Sequence, residues 1–456
     1  MAVLLSGLLL APLARAGPNA TPSTYGEVTG FSSWKLPYEP VAEMEADLNH
    51  FVEAGARWLR IDLAWSASEP SPGSYRFGLV DRVVNAANAR GVRVLLTLAY
   101  APGWASGCPT DKCLPTANHV PAYGAFAGAA AAHFRGRVAA YEIWNEANQR
   151  WATGTPDPTR YVAMARAAYP VIKAGDPAAT VLVGVAGPTG PQNGELGPLE
   201  WAVALWDRGI DGSFDAWSAH PYSFPALPAD PGTEHWSGWW AMVHIHDFLV
   251  SVGRDVPIWM TEFGTPTRGK GYPDTFQRDS ILTAIDTAAT YPWAGPLFLY
   301  MVRDTSTSSS YGESFGLLNF DRSAKTAWVP VSERLRTPVG GVGPEPEPEP
   351  QAEPAPSREA AAGAAPRIAA AQVPLPADAP TTTALPTPAR PTASDPSLSE
   401  RAAVDIPAAA SSGRPPVALW AGPLCALLVS GLLFGRAWRR AGARLAGARH
   451  AVHKTL

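Results

Sequence analysis

Eight short apolar runs alternate with longer amphipathic stretches along one continuous part of this chain, between about residues 25 and 338. The runs are 27–34, 58–63 (WLRIDL), 92–99 (VRVLLTLA), 138–144 (VAAYEIW), 180–185 (TVLVGV), 215–219 (DAWSA), 257–261 (PIWMT) and 296–301 (PLFLYM). Between them, residues 41–54, 77–89, 121–134, 158–174, 234–252 and 274–290 carry apolar side chains three to four apart. That is the period of a helix with one buried face. Near-continuous apolar strands, each followed by a helix, belong to a parallel sheet covered by helices. Eight such units predict a closed (β/α)8 TIM barrel over residues 25–337. An open doubly wound sheet is the competing architecture. It asks for a glycine-rich turn after the first strand, but no G-x-G-x-x-G stands there and no GxxxxGK[ST] occurs in the chain. Nucleotide binding therefore has no support.

The ends of the chain read differently. Residues 1–16 (MAVLLSGLLLAPLARA) have the apolar run and the A-x-A site, Ala14-Arg15-Ala16, of a secretory signal peptide, although no basic residue precedes the run. Residues 338–416 are rich in Pro, Ala and Thr and open on Pro344-Glu345-Pro346-Glu347-Pro348. Such a segment cannot bury enough apolar area to offset its ordering entropy, and is expected to be a disordered, semi-rigid linker. Residues 417–434 (VALWAGPLCALLVSGLLF) carry no charge. Their length sits at the lower limit for crossing a bilayer. A transmembrane helix is expected over 417–435, with Trp420 and Trp438 at its flanks. The tail 436–456 is basic, through Arg436, Arg439, Arg440 and Arg444 among others. The positive-inside rule makes that tail cytoplasmic and the barrel extracellular, in a single-pass protein of the cell membrane.

Composition narrows the partners. Charged residues are 17% of the chain and the net charge is −4, which is no footprint for nucleic acid. Three cysteines are too few for a disulfide framework or a four-thiolate zinc site. Cys108 and Cys113, in CPTDKC, are close enough to close a small loop, and in an oxidising compartment a disulfide is expected. The alternative, metal binding, has only half a zinc site to work with. Cys425 falls within the apolar run and is read as packing.

Functional residues of such a barrel gather at the C-terminal ends of its strands. The fourth run ends in Ile143-Trp144-Asn145-Glu146-Ala147-Asn148, and the seventh in Trp259-Met260-Thr261-Glu262-Phe263-Gly264. One Asn-Glu pair alone would be uninformative. Two glutamates, each at the mouth-side end of its strand, are what glycoside hydrolysis uses: one protonates the leaving oxygen, the other attacks the anomeric carbon or activates water. No HExxH or paired-His motif stands at the strand ends, so no metal or cofactor is expected. His244 and His246 are two apart, do not share a helical face, and are read as structural.

These motifs, IWNEAN and MTEFG above all, resemble the clan A retaining glycoside hydrolases, most closely families 39 and 5, including cellulase-like bacterial enzymes. The resemblance runs from about Gly30 to Trp328. It implies that Glu146 is the acid/base and Glu262 the nucleophile. It implies that Arg60 keeps the nucleophile ionised, as a nearby cation does, and that Asn145 holds the sugar 2-hydroxyl. His220 and Tyr222, in AHPYSF, match the pair beside the nucleophile, with Tyr222 donating to Glu262 and His220 near Glu146; a core histidine and a packing tyrosine are the alternatives. Trp65, Tyr100 and Trp104 are read as sugar platforms, against the alternative of packing under the loops. The chain departs from the family in two places. Tyr100-Ala101-Pro102 stands where many members have a His after strand three. Tyr300-Met301-Val302-Arg303 stands where many have a Trp after strand eight, so Tyr300 or Arg303 is expected to form that wall. The later 315–321 segment (FGLLNFD), with Lys325 and Trp328, resembles the clan's closing segment and is read as structural.

The resemblance implies an O-glycosyl hydrolase acting by double displacement on a polysaccharide or oligosaccharide. Glu146 begins protonated beside a charged Glu262, and ionises more readily once Glu262 is esterified. A transglycosylase would use the same residues. A membrane-tethered glycan-binding protein without turnover is the reading from another class, opposed by the intact glutamate pair with Asn145 and Arg60.

Overall fold

The computed structural model describes residues 24–190, 194–269 and 271–339. The expected signal peptide over 1–16, the linker over 338–416 apart from its first two residues, the membrane helix over 417–435 and the basic tail over 436–456 lie outside the described residues. Among the described residues, no helix is long and apolar enough to cross a membrane.

Eight parallel strands close into a barrel in chain order. They are β1 (Thr29–Ser32), β2 (Trp58–Ala64), β3 (Arg93–Ala99), β4 (Ala140–Ile143), β5 (Thr180–Val183), β6 (Ala216–Ala219), β7 (Ile258–Phe263) and β8 (Ala294–Leu299). β8 pairs back onto β1, with Gly30 opposite Phe298. One main helix follows each strand: α1 (Val41–Ala54), α2 (Gly78–Ala89), α3 (Val120–His133), α4 (Pro158–Gly175), α5 (Pro198–Trp206), α6 (Gly238–Ser251), α7 (Asp274–Ala288) and α8 (Trp328–Arg336).

Local chemistry sets the helix ends. The Asp157 carboxylate accepts from the Arg160 amide at 2.9 Å and Pro158 takes the first position of α4; both start a helix well. α1 stops at Gly55, whose φ of 97° lets its amide turn back to the Phe51 and Val52 carbonyls.

Alternation along the strands sorts side chains into two cores. Outward positions such as Phe31, Tyr141, Trp217 and Phe263 pack against the helices. Inward positions make a separate floor of Trp58, Leu95, Ala140, Leu182, Ala216, Trp259 and Phe298. Trp58 meets Trp259 edge-on at 5.1 Å. Gly30 makes room for it: a Cβ there would fall 2.5 Å from the Cβ of Trp58. The floor shuts one end of the barrel and leaves the other as a mouth.

The strands differ from the sequence expectation mainly at their ends. β1 begins at Thr29 because residues Tyr25–Val28 form a 3-10 turn. β4 stops at Ile143 because Trp144 takes a φ of 66°. β7 runs on to Phe263, through Glu262 itself. Helices α5 and α8 add to the amphipathic stretches that the sequence announces. α5 (PLEWAVALW) is too uniformly apolar to show a period, and α8 follows a long closing loop. Arg303 is a correction. It does not wall the mouth but is buried outside it, bonded to Asp47 at 2.9 Å and Glu39 at 2.7 Å. It ties the segment after β8 to α1. Lys325 pairs with buried Asp304 at 2.8 Å, and His246 stacks on Trp293 at 4.4 Å.

Candidate active site

Above the apolar floor the inward positions become polar. On β2 the alternation Trp58, Arg60, Asp62 climbs from floor to mouth, and on β6 Ala216, Ser218, His220 does the same. Arg60 is the hub of the next layer. Its Nε donates to Glu142 at 2.8 Å, its Nη1 to Ser32 at 3.2 Å and to Glu262 at 2.6 Å, and its Nη2 to Asn145 at 2.8 Å. Burial works against the guanidinium charge, but Glu142 and Glu262 more than offset it and hold the Arg60 pKa above its ordinary value. Glu142 is wholly buried. Its desolvation is outweighed by Arg60, so its carboxyl titrates below the usual range. This permanent ion pair, itself also bonded by Thr97 at 2.9 Å, carries the functional layer on top of it.

Two local irregularities turn the key side chains inward. Trp144 and Glu146 both have positive φ, 66° and 43°, a strained region for side chains of this size. The kinked path leaves Trp144 packed outside, with its Nε1 on the Ala152 carbonyl, while Asn145 and Glu146 face the mouth. On β7 the register against β8 shifts between Met260 and Phe263. A bulge of this kind re-aims a side chain, and here Phe263 packs outward beside Trp239 while Glu262 reaches Arg60.

The two glutamates have different surroundings. Glu262 accepts from Arg60 on Oε1 and from the Tyr222 hydroxyl on Oε2 at 2.9 Å. Burial, then the Glu262 charge, push the Tyr222 pKa well up, so the phenol keeps its proton and donates. Glu146 accepts from Trp151 Nε1 at 3.0 Å on one oxygen and meets His220 Nδ1 at 2.7 Å with the other. His220 also lies 3.6 Å from Glu262. Burial opposes a charge on that ring, but Glu262 and the Glu146 hydrogen bond outweigh it and raise the His220 pKa. Behind Glu146 stands Gly187. A Cβ there would fall 2.4 Å from Glu146 Oε1 and 2.1 Å from Gln149 Nε2, so only glycine lets the acid sit where it does.

Ligand atoms of Glu146, His220 and Glu262 lie within 4.8 Å of one another. By distance alone they could grip a cation. Arg60, Tyr222 and Trp151 already occupy carboxylate lone pairs, and compete with any metal for them.

The structure thus brings together Glu146, Glu262, Arg60, Asn145, His220 and Tyr222. The aromatic positions divide. Trp65 is a correction: it is 0% exposed, stacks on Phe126 at 5.6 Å and bonds Glu69 at 2.6 Å, and offers no face to a sugar. Trp104 packs edge-on against Trp65 at 5.5 Å and donates to the Glu69 carbonyl, so it holds the β3–α3 loop. Tyr100 is buried at the mouth, but its hydroxyl accepts from Asn145 at 3.1 Å and one ring face lies under the Lys112 ammonium at 3.2 Å. It positions Asn145 rather than stacking on a ring. Tyr300 lies in the mouth, close enough for the Glu262 charge to raise its pKa further after burial. Cys108 and Cys113 have sulfur atoms 2.11 Å apart and close the loop that carries Lys112.

Several members of the site carry no motif in the sequence. Trp34 continues the inward alternation Gly30, Ser32 of β1 and is 38% exposed at the rim. Asp62 continues Arg60 in the same way. Glu142 stands two residues below the turn at Trp144. Period two from a known inward residue is the signal that finds all three.

Comparisons with known proteins agree with this architecture. The family model described as Cellulase (glycosyl hydrolase family 5) matches residues 18–295. No curated protein matches the sequence. Among solved structures, a family 39 glycoside hydrolase from Bacteroides cellulosilyticus WH2 is 22% identical with a TM-score of 0.57, over 69% of this chain and 64% of that one. This chain therefore spans less than two thirds of that relative. GH5_18 from Streptomyces cattleya, solved with GlcNAc, is 17% identical with a TM-score of 0.54, over 69% and 80%. A monomeric beta-xylosidase from Caulobacter crescentus CB15 is 15% identical with a TM-score of 0.53, over 69% of each chain. At these identities the likeness speaks for the fold.

Proposed function

Since the chain belongs to the cellulase family, glycosyl hydrolase family 5, and is an O-glycosyl hydrolase, we propose that it cleaves its glycan with retention, Glu262 acting as nucleophile and Glu146 as acid/base. The observation that carries this is the spacing: an oxygen of each carboxylate lies within 4.8 Å. Retaining enzymes place the pair about 5–5.5 Å apart, whereas inverting ones leave about 6.5–9.5 Å for a water.

Each surrounding group then has work to do. Arg60 and Tyr222 hold Glu262 aimed, with one oxygen bonded by each. Glu146 protonates the leaving oxygen as Glu262 forms the glycosyl ester. Water then enters, Glu146 takes its proton, and the ester is hydrolysed with Glu262 released. Trp151 and His220 keep the Glu146 carboxyl in line through both steps. Asn145, locked between Arg60 and Tyr100, presents its amide to the sugar 2-hydroxyl, where a bond that tightens in the transition state contributes rate.

The substrate we assign is an extracellular or cell-envelope polysaccharide. Support comes from the signal-like residues 1–16 and the apolar run at 417–434 with its basic tail, which favour a protein held at its own cell surface.

The test follows new reducing ends from β-linked polysaccharides and cell-envelope glycans, with the Glu262→Gln protein alongside. Release that the substitution abolishes supports the assignment. Binding without release moves the protein to the tethered glycan binder, and products extended by added acceptor sugars move it to the transglycosylase.

A further inference from the structure

One polar pair at the mouth takes no part in the chemistry above. Asp62 is the inward residue of β2 two above Arg60, half-buried, and within the field of Glu262 and Glu142. Lys112 comes from the other side, on the disulfide-closed loop of residues 108–113. Its ammonium rests on the faces of Tyr100, at 3.2 Å, and Trp151, at 5.8 Å. Those two rings are the ones that bond Asn145 and Glu146. Asp62 and Lys112 feel each other's charge. Yet among the described residues neither makes a hydrogen bond or an ion pair. A carboxylate and an ammonium left without hydrogen-bond partners in a partly dry site cost free energy. The bonds missing from the protein are available to a ligand.

We propose that Asp62 and Lys112 together clamp two adjacent free hydroxyls of a neutral pyranose, and so set which sugar the site accepts. This deepens the hydrolase reading and rests on it. A hydroxyl both donates and accepts, so one vicinal pair can donate to Asp62 and accept from Lys112. A uronate in the same place would face Asp62, Asp111 and Glu262. An amino sugar would face Lys112 and Arg60. Only an uncharged ring meets no like charge. Trp34 and Tyr38, at 38% and 52% exposure, flank this side of the mouth and suit the apolar face of such a ring. Tyr38 lies within the field of Asp62 and Asp111. A site that satisfies buried polar groups only through substrate hydroxyls rejects analogues lacking them.

The experiment uses the full-length protein and three probes: cellotetraose, its tetrauronate counterpart and chitosan tetraose, with mannotetraose and xylotetraose as neutral variants. Binding is read by tryptophan fluorescence and turnover by reducing ends. A neutral tetraose is expected to bind at least tenfold more tightly than either charged one. Asp62→Ala weakens that binding by about thirtyfold or more, as expected for two lost hydrogen bonds to a charged group, and Asp62→Asn, which keeps the shape, weakens it less. Lys112→Gln retains a donor and loses less than Lys112→Met. In Asp62→Ala the penalty for a deoxy sugar at the clamped position disappears. Parent-like binding and deoxy discrimination in both Asp62 variants overturn the proposal, as does preference for a charged tetraose or failure to bind any neutral one. Binding that depends on Asp62 without turnover leaves the clamp standing and sinks the hydrolase. Turnover that ignores Asp62 does the reverse.

Discussion

The floor and the mouth of this barrel lie only a few residues apart along each strand, and they obey different rules. The floor is apolar, its strands alternate regularly, and Trp58 and Trp259 are fitted against glycine and each other. The mouth crowds Glu142, Glu146, Glu262, Asp62 and Arg60 together, with positive φ at Tyr100, Trp144 and Glu146 and a shifted register on β7. The floor supplies burial, which stabilises. The mouth holds partly desolvated charge and backbone strain, which do not. The charged residues of the mouth can be held in that state because the floor and the outer helix packing stabilise the whole barrel.

Substitutions can break or sharpen this contrast. The largest effect belongs to the mouth. Glu262→Gln should lower kcat by at least about 10³-fold, by loss of the proposed nucleophile, while leaving the thermal midpoint at or above that of the parent. A fall in stability instead would mean that Glu262 is a structural charge. Next comes the floor. Trp58→Ala should cost about 3–5 kcal/mol in unfolding free energy through lost packing, measured by denaturant titration. A cost below about 1 kcal/mol would mean the inner cluster is not the base of the barrel. Gly187→Ala probes the boundary between them. The added Cβ displaces the Glu146 carboxyl by about an ångström, and kcat/KM should fall roughly 100-fold with little change in stability.

The smallest effect concerns pH. Burial raises the Asp62 pKa to about 6 from its ordinary 3.8, against the pull of Arg60 and Lys112. Glu142, Glu262, Asp111, Tyr38, Tyr100 and Tyr300 are the other titratable groups around it. A carboxyl whose folded pKa is raised holds its proton more tightly in the folded state. Its contribution therefore disfavours folding above pH about 6 and is relieved as pH falls through 6 toward 3.8. Asp62→Asn should raise the melting temperature by about 1–3 °C at pH 8 and by less at pH 4.5. An equal gain at both would show that the charge is not the cause.

The same contrast explains how much of the molecule is legible in its sequence. Short apolar runs and helical period announce the strands and most helices, so the barrel and both glutamates at its mouth can be read from the residues alone. α5 and α8 escape that reading because one is uniformly apolar and the other short and late. Around the site, Arg60, Asn145, His220 and Tyr222 are legible through motif, and the structure brings them to one place. Trp65 misleads because an aromatic one residue past a strand end can turn either way. Here Ala64 leads into a short helix, Trp65–Ser68, that buries the ring. Asp62 and Trp34 go unmarked although each continues an inward alternation, since no motif includes them. Trp151 and Gly187 have no sequence signal at all. They meet Glu146 only after the β4 turn and the β5 segment are folded together.

The most direct test of the central claim is the anomeric configuration of the first product, followed by proton NMR before mutarotation. A retaining pair within 4.8 Å predicts that the β-linked substrate first yields the β-anomer. An α-anomer appearing first would mean inversion, and would contradict Glu262 as nucleophile.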